Sequence, residues 1–178
     1  MWTGLTAGRG PGAARGEDQA DAQGMPLELV DHDGLMAAVT ARRGRVVVLD
    51  CWSTSCPPCV REFPRLVALA AAHPEDVSCL SLALDYDGVG TVEESLPRVR
   101  QFLEKVGARD VFNMLSREEA DAMCRKLDLA SIPAVFVWKA DGLLAMRYDD
   151  DFAARSLGRP FTYDDIEVTV RDLLAKQP

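Results

Sequence analysis

The residues best suited to chemistry in this sequence are two cysteines separated by two prolines, Cys56-Pro57-Pro58-Cys59. A thiol attacks a disulfide as its thiolate, and a helix N-terminus favours the thiolate through free N–H groups and the positive end of its dipole. The pair stands where an apolar, β-branched run gives way to a helical pattern, and Pro58 suits a first helical turn. This context predicts a reversible disulfide in which the more exposed Cys56 attacks and Cys59 resolves.

One carboxylate interrupts the apolar run before this pair. Asp50 lies six residues before Cys56 and, by the two-residue period of a strand, on the same face as Trp52. An unpaired buried carboxylate is costly and has a raised pKa. We therefore predict that Asp50 takes the proton of Cys59 when the pair reforms its disulfide. The alternative is a structural Asp50, bonded to backbone or to a nearby cation.

A proline directly before a later strand is the third feature. Ile132-Pro133 precedes the apolar segment AVFVW. A cis bond here would place backbone beside the disulfide, where an extended substrate could pair; the alternative is a proline tolerated at a strand start.

A metal site is the main alternative to redox chemistry for a cysteine pair. Zinc needs two further ligands, and the remaining cysteines and histidines show no paired spacing. We therefore predict no metal, and we interpret the other three cysteines as small buried hydrophobes: Cys51, Cys79 and Cys124.

Short apolar runs alternate with helical patterns along the chain and end in a hairpin and a helix. Strands are predicted over 27–30, 45–52, 77–84, 112–115, 134–138 and 143–148, and helices over 34–43, 58–72, 97–106, from 116 onward and over 163–175. Ser116 and Glu119 form a capping-box pattern, and residues 149–160 read as a solvated loop that opens with an exposed acidic run. The order predicts an α/β fold with a central mixed sheet and helices on both faces.

Composition limits the remaining possibilities. The 178 residues suit one domain, and the net charge of −8 disfavours nucleic-acid binding. No apolar stretch is long enough for a transmembrane segment. Residues 1–25 are rich in Gly and Ala and are predicted to be a disordered tail, leaving 26–178 as the domain. The tail is not a secretory signal, so we expect a cytoplasmic protein, or an exported one if a signal has been lost upstream.

The segment VVVLDCWSTSCPPCVREFPRL, with SIPAVFVWKADG downstream, resembles the thioredoxin superfamily and is most similar to its TlpA/ResA-like branch. The resemblance implies a three-layer thioredoxin-like sandwich over 26–178 and a thiol–disulfide oxidoreductase that acts on protein disulfides as a reductant. It also implies a monomer without bound cofactor, supplied with electrons by a separate reductase. The residues implied in substrate binding are Trp52, Pro57, Ile132 and Pro133.

Several positions depart from thioredoxin itself. Ser55 stands where thioredoxin has a second Trp, Pro57 replaces a Gly, Ala134 replaces a Thr, and the strand VSCLSLAL lacks the Lys beside the buried Asp. Two alternatives therefore stay open: a thiol peroxidase on the same fold, for which Ser53 stands three residues before Cys56, and a module that binds a thiophilic metal such as Cu(I) without turnover.

Overall fold

A computed structural model describes residues 24–176. Within that range the chain forms six strands: β1 (Glu28–Val30), β2 (Val46–Trp52), β3 (Val77–Ala83), β4 (Phe112–Ser116), β5 (Ala134–Trp138) and β6 (Leu144–Tyr148). The helices are α1 (His32–Thr40), α2 (Pro57–Ala72), α3 (Leu96–Val106), α4 (Ala120–Lys126), α5 (Asp150–Phe152) and α6 (Tyr163–Leu174), with a 3₁₀ turn at Val92–Ser95 and a π-helical turn at Ala153–Leu157. Residues 1–23 of the predicted disordered tail lie outside the described range. Of the two tail residues within it, Met25 is buried in the core.

The six strands form one mixed sheet in the order β1-β4-β3-β2-β5-β6. β1, β4, β3 and β2 are parallel, β5 pairs antiparallel with β2, and β6 pairs antiparallel with β5. The central strand β2 is buried along its whole length, as its continuous β-branched run predicts. The carboxyl end of β2, and the cysteine pair that follows it, therefore lie near the centre of the sheet's width, at the end of the strands.

Helices cover both faces of the sheet. α2, α3 and α6 pack on the face that carries Asp50 and Trp52, and α1 and α4 pack on the face that carries Cys51. This confirms the predicted three-layer α/β sandwich and the period-two assignment of these three side chains.

Two local predictions were wrong. Ser116 is the last residue of β4 and not a helix cap, because its buried hydroxyl exchanges hydrogen bonds with the backbone of Glu118; α4 begins at Ala120. The predicted loop over 149–160 contains α5 and the π-helical turn, and its first acidic residue is buried. Asp149 accepts the N–H of Phe152 as a helix cap and pairs with Arg147 at 2.6 Å, so it is not part of an exposed acidic run.

Candidate active site

The cysteine pair lies at the N-terminus of α2. Cys56 is the N-cap residue and is half-buried, while Cys59 is buried with 2% of its surface exposed. Their Sγ atoms form a disulfide that joins Cα atoms 5.3 Å apart. Of the two cysteines, Cys56 is therefore the more exposed, as the sequence predicts.

Two prolines limit the hydrogen-bond donors available to the exposed sulfur. Pro57 and Pro58 occupy the first two helical positions and have no N–H. The first backbone donor of the helix is therefore the N–H of Cys59, which donates to Cys56 Sγ at 3.3 Å. The helix N-terminus supports a Cys56 thiolate through this one short-range donor and through its dipole.

Asp50 lies beneath the pair, where it is 4% exposed. Desolvation raises the pKa of the Asp50 carboxyl to about 7, Glu62 adds to this as a like charge, and a hydrogen bond from Tyr163 opposes it. The phenol of Tyr163 donates to Asp50 Oδ2 at 2.5 Å. A carboxyl with a pKa near neutrality can both accept and return a proton at physiological pH.

A cavity of about 250 Å³ connects this carboxyl to Cys59 and to the proline loop. Its volume exceeds what one water molecule needs, so water can relay a proton across it. Its lining includes Asp50, Pro58, Cys59, Glu62, Pro133 and Tyr163.

The Ile132–Pro133 bond is cis, and Pro133 lines the same cavity as Cys59. The strand that follows pairs antiparallel with β2, with Ala134 opposite Cys51. The preceding Ser131 hydroxyl donates to Asp150 at 2.6 Å, which links the proline loop to α5. The fold therefore brings together the cysteine pair, Asp50 and Pro133, with Ile132 half-buried and Pro57 exposed beside them.

Trp52 does not share that surface. Its side chain is fully buried and packs against Phe63 and Phe102, with ring centroids 4.7 and 4.8 Å away. This burial argues against direct contact of Trp52 with substrate. The indole instead packs against side chains of α2 and α3.

Two further interactions at the site involve residues that the sequence analysis does not single out. Tyr163 reaches Asp50 across 113 residues of sequence. Asp85 accepts the N–H of Thr54 at 3.1 Å and also its hydroxyl, and Arg98 donates to Asp85 at 3.1 Å. This second set ties the loop before Cys56 to the end of β3 and to α3. A polar residue directly after the apolar run of β3 is the one sequence signal that could have pointed to Asp85.

The three remaining cysteines are reduced. Desolvation raises the pKa of Cys51 well above its usual value and that of Cys79 to about 12, and it also raises the pKa of half-buried Cys124. Such thiols are poor nucleophiles at neutral pH, which agrees with their interpretation as small hydrophobic side chains.

Over residues 24–176, no three His, Cys, Asp or Glu side chains gather where they could hold a metal ion. Among the helices that the structure describes, none combines the length and apolarity needed to cross a bilayer.

Comparisons with known proteins relate this chain to others of the same fold and family. No curated protein sequence matches the chain. Three solved structures share the fold. A secreted Mycobacterium tuberculosis disulfide oxidoreductase homologous to E. coli DsbE has a TM-score of 0.56 at 22% identity, covering 75% of this chain and 86% of that one. MTB dsbF has a TM-score of 0.55 at 22% identity, covering 75% and 84%. A thiol:disulfide interchange protein of the thioredoxin family from Chlorobium tepidum TLS has a TM-score of 0.55 at 21% identity, covering 87% and 99%.

These neighbours include oxidoreductases of the kind that the sequence resemblance implies, and they confirm the predicted thioredoxin-like fold. The Redoxin family model matches residues 17–155, which is most of the chain. This protein therefore belongs to the Redoxin family, within the thioredoxin superfamily.

Proposed function

We propose that this protein is a thiol–disulfide oxidoreductase that reduces disulfides of other proteins through Cys56 and Cys59. The observation that carries the proposal is the arrangement at the N-terminus of α2. A half-buried Cys56 is bonded to a buried Cys59, and Asp50 and Pro133 line the cavity that Cys59 also lines. The solved structures described as disulfide oxidoreductase and thiol:disulfide interchange protein support the same chemistry.

The proposed cycle starts from the reduced pair. The Cys56 thiolate attacks one sulfur of the substrate disulfide, that S–S bond breaks, and one substrate sulfur leaves as a thiolate. The other substrate sulfur is now held in a mixed disulfide with Cys56. Asp50 accepts the proton of Cys59 through water in the cavity, and the Cys59 thiolate attacks Cys56 Sγ and expels the second substrate thiolate. Two electrons have passed to the substrate, and a dithiol donor protein must reduce the Cys56–Cys59 bond again.

The small number of backbone hydrogen-bond donors near the Cys56 sulfur supports a role as a reductant. A pair becomes oxidising when its reduced form, with an exposed thiolate, is strongly stabilised. Because Pro57 and Pro58 supply no N–H, the thiolate has the Cys59 N–H as its nearby backbone donor. Weak stabilisation of the thiolate lowers the potential and favours electron donation.

The test uses cysteine variants and a disulfide-bonded protein substrate such as insulin, with dithiothreitol as the electron source. Cys56→Ser should reduce the rate to the uncatalysed background. Cys59→Ser should accumulate a one-to-one covalent adduct with the substrate, which excess reductant releases. Cys124→Ser, which removes a half-buried thiol outside the pair, is the matched control and should keep the wild-type rate.

Three outcomes would contradict the proposal. Full activity of Cys56→Ser would show that the nucleophile is elsewhere. Preferential consumption of hydrogen peroxide would favour the peroxidase alternative. The hydroxyls before Cys56 are already engaged, since Ser53 shares a hydrogen bond with Ser55 at 2.9 Å and Thr54 donates to Asp85. Stoichiometric Cu(I) binding that is lost in Cys59→Ser, without disulfide exchange, would favour the metal module.

A further inference from the structure

Tyr163 is held rigidly at the floor of the active-site cavity. It is the first residue of α6, it is 2% exposed, and its phenol donates to Asp50 Oδ2 at 2.5 Å. The start of α6 is fixed by a capping box between Thr162 and Asp165, and Arg159 pairs with Asp165 at 2.7 Å. The phenol therefore has a defined position, set by a helix terminus and not by a mobile loop.

The groups that face Asp50 come from every element packed against it. α2 contributes Cys59, Arg61 and Glu62 around the cavity, α5 contributes Asp150, and α6 contributes Tyr163. Sheet residues whose own pKa values respond to Asp50 are the buried thiols of Cys51 and Cys79.

Within residues 24–176 the phenol is the one side chain that hydrogen-bonds to Asp50, and no Lys or Arg forms an ion pair with it. Glu62 opposes ionisation of Asp50, whereas the phenol favours it.

We propose that Tyr163 is a positioning residue for the resolving step: its phenol holds Asp50 as a carboxylate and engages Oδ2, leaving Oδ1 to receive the proton of Cys59. This inference rests on the proposed function. In this step the Cys59 proton passes to Asp50, the Cys59–Cys56 bond forms, the bond between Cys56 and the substrate sulfur breaks, and the substrate thiolate leaves.

The chemistry of a phenol suits this role. Burial, with Asp50 adding to it, raises the pKa of the Tyr163 phenol well above its usual value, so the group stays protonated and remains a donor. A phenol carries no charge, so it stabilises the carboxylate less than a cation would. Asp50 is thereby kept basic enough to accept a proton near neutral pH.

The test separates the two chemical steps with 5,5′-dithiobis(2-nitrobenzoate). One equivalent added to the reduced protein releases one thionitrobenzoate when Cys56 attacks and a second when Cys59 resolves the mixed disulfide. Stopped-flow traces between pH 5 and 9 give both rates. In the wild type the second rate should rise with pH through an inflection near the Asp50 pKa of about 7.

Tyr163→Phe removes only the hydroxyl. One hydrogen bond to an ionised group is worth about a tenfold change in a proton equilibrium. The inflection of the second rate should move up by about one pH unit, the rate at pH 7 should fall up to about tenfold, and the first rate should stay within about twofold. In an Asp50→Asn background, Tyr163→Phe should have no further effect on the second rate.

Tyr148→Phe is the matched control. Tyr148 is also buried and also hydrogen-bonds to α6, through the carbonyl of Asp165 and the hydroxyl of Thr169, without contacting Asp50. Its pH profile should equal that of the wild type. If Tyr163→Phe does not fold, 3-fluorotyrosine can be incorporated into a protein that carries Tyr86→Phe and Tyr148→Phe, in which Tyr163 is the remaining tyrosine. The fluorinated phenol keeps the ring and is a stronger donor, so it should move the inflection to lower pH.

The outcomes distinguish the two proposals. An unchanged inflection in Tyr163→Phe or with fluorotyrosine, or an equal loss in the Asp50→Asn background, would overturn the role of Tyr163 and leave the proposed function standing. A wild type that releases only one thionitrobenzoate would instead overturn the proposed function.

Discussion

Replacing Asp50 by Asn should stabilise the folded protein, and the gain should grow with pH. The carboxyl is buried, and desolvation raises its pKa to about 7 in the folded state from the usual 3.8. Between these two values the folded state binds the proton and the unfolded state releases it. Asp50 therefore lowers the free energy of unfolding of the wild type as the pH rises from about 4 to about 7. Above that range its contribution no longer changes with pH.

The magnitude follows from the difference between the two pKa values. About three pH units at 1.36 kcal/mol each correspond to about 4 kcal/mol of lost stability at pH 8. Asn removes the ionisation and retains a side-chain oxygen that can accept the Tyr163 hydrogen bond. The stability difference between Asp50→Asn and wild type should thus rise from near zero at pH 4 to about 4 kcal/mol at pH 8.

Urea denaturation of the oxidised proteins at several pH values, followed by tryptophan fluorescence, measures this difference. Because the other carboxyl groups titrate equally in both proteins, their contributions cancel in the difference between the two free energies of unfolding. Asp165→Asn is a control of opposite sign, because the hydrogen bond from Arg159 lowers the pKa of Asp165 to about 2. That variant should lose stability at neutral pH, and the loss should disappear as the pH falls towards 2. A stability difference for Asp50→Asn that does not change with pH would refute the reasoning.

Three further predictions concern the same site. Pro57→Gly supplies a backbone N–H beside Cys56, so it should stabilise the Cys56 thiolate and raise the reduction potential of the pair by about 30 mV. Equilibration in glutathione buffers measures this potential. An unchanged potential would show that the missing donor has no effect. Glu62→Gln removes the like charge that raises the pKa of Asp50 and should shift the inflection of the resolving step to lower pH by up to about one unit; a shift upward would contradict this sign. The three cysteines outside the pair should react with iodoacetamide at pH 8 only after unfolding, as mass spectrometry would detect; fast labelling of the native protein would disprove their high pKa values.

Features carried by local periodicity could be predicted from the sequence. The alternation along β2 correctly assigns Asp50 and Trp52 to one face and Cys51 to the other. Local rules likewise predict that a strand begins directly after Pro133 and that the cysteine pair lies at a helix N-terminus.

Features that depend on tertiary contacts could not be predicted. The Ser116 pattern matches a capping box, but the residue is already committed to β4, and its hydroxyl bonds to Glu118. Tyr163 carries no local signal for its role, because its partner lies 113 residues away and is brought near by the packing of α6 on β2. The burial of Trp52 depends in the same way on helices α2 and α3.

Whether this protein reduces protein disulfides depends on the reduction potential of the Cys56–Cys59 pair. The protein is equilibrated in graded dithiol buffers, free thiols are trapped, and the fraction of disulfide is fitted to a two-electron equilibrium. We expect a reversible disulfide with a potential near that of a reductant, about −270 mV. A pair that does not form the disulfide, or a potential close to about −120 mV, would contradict a role in reducing protein disulfides.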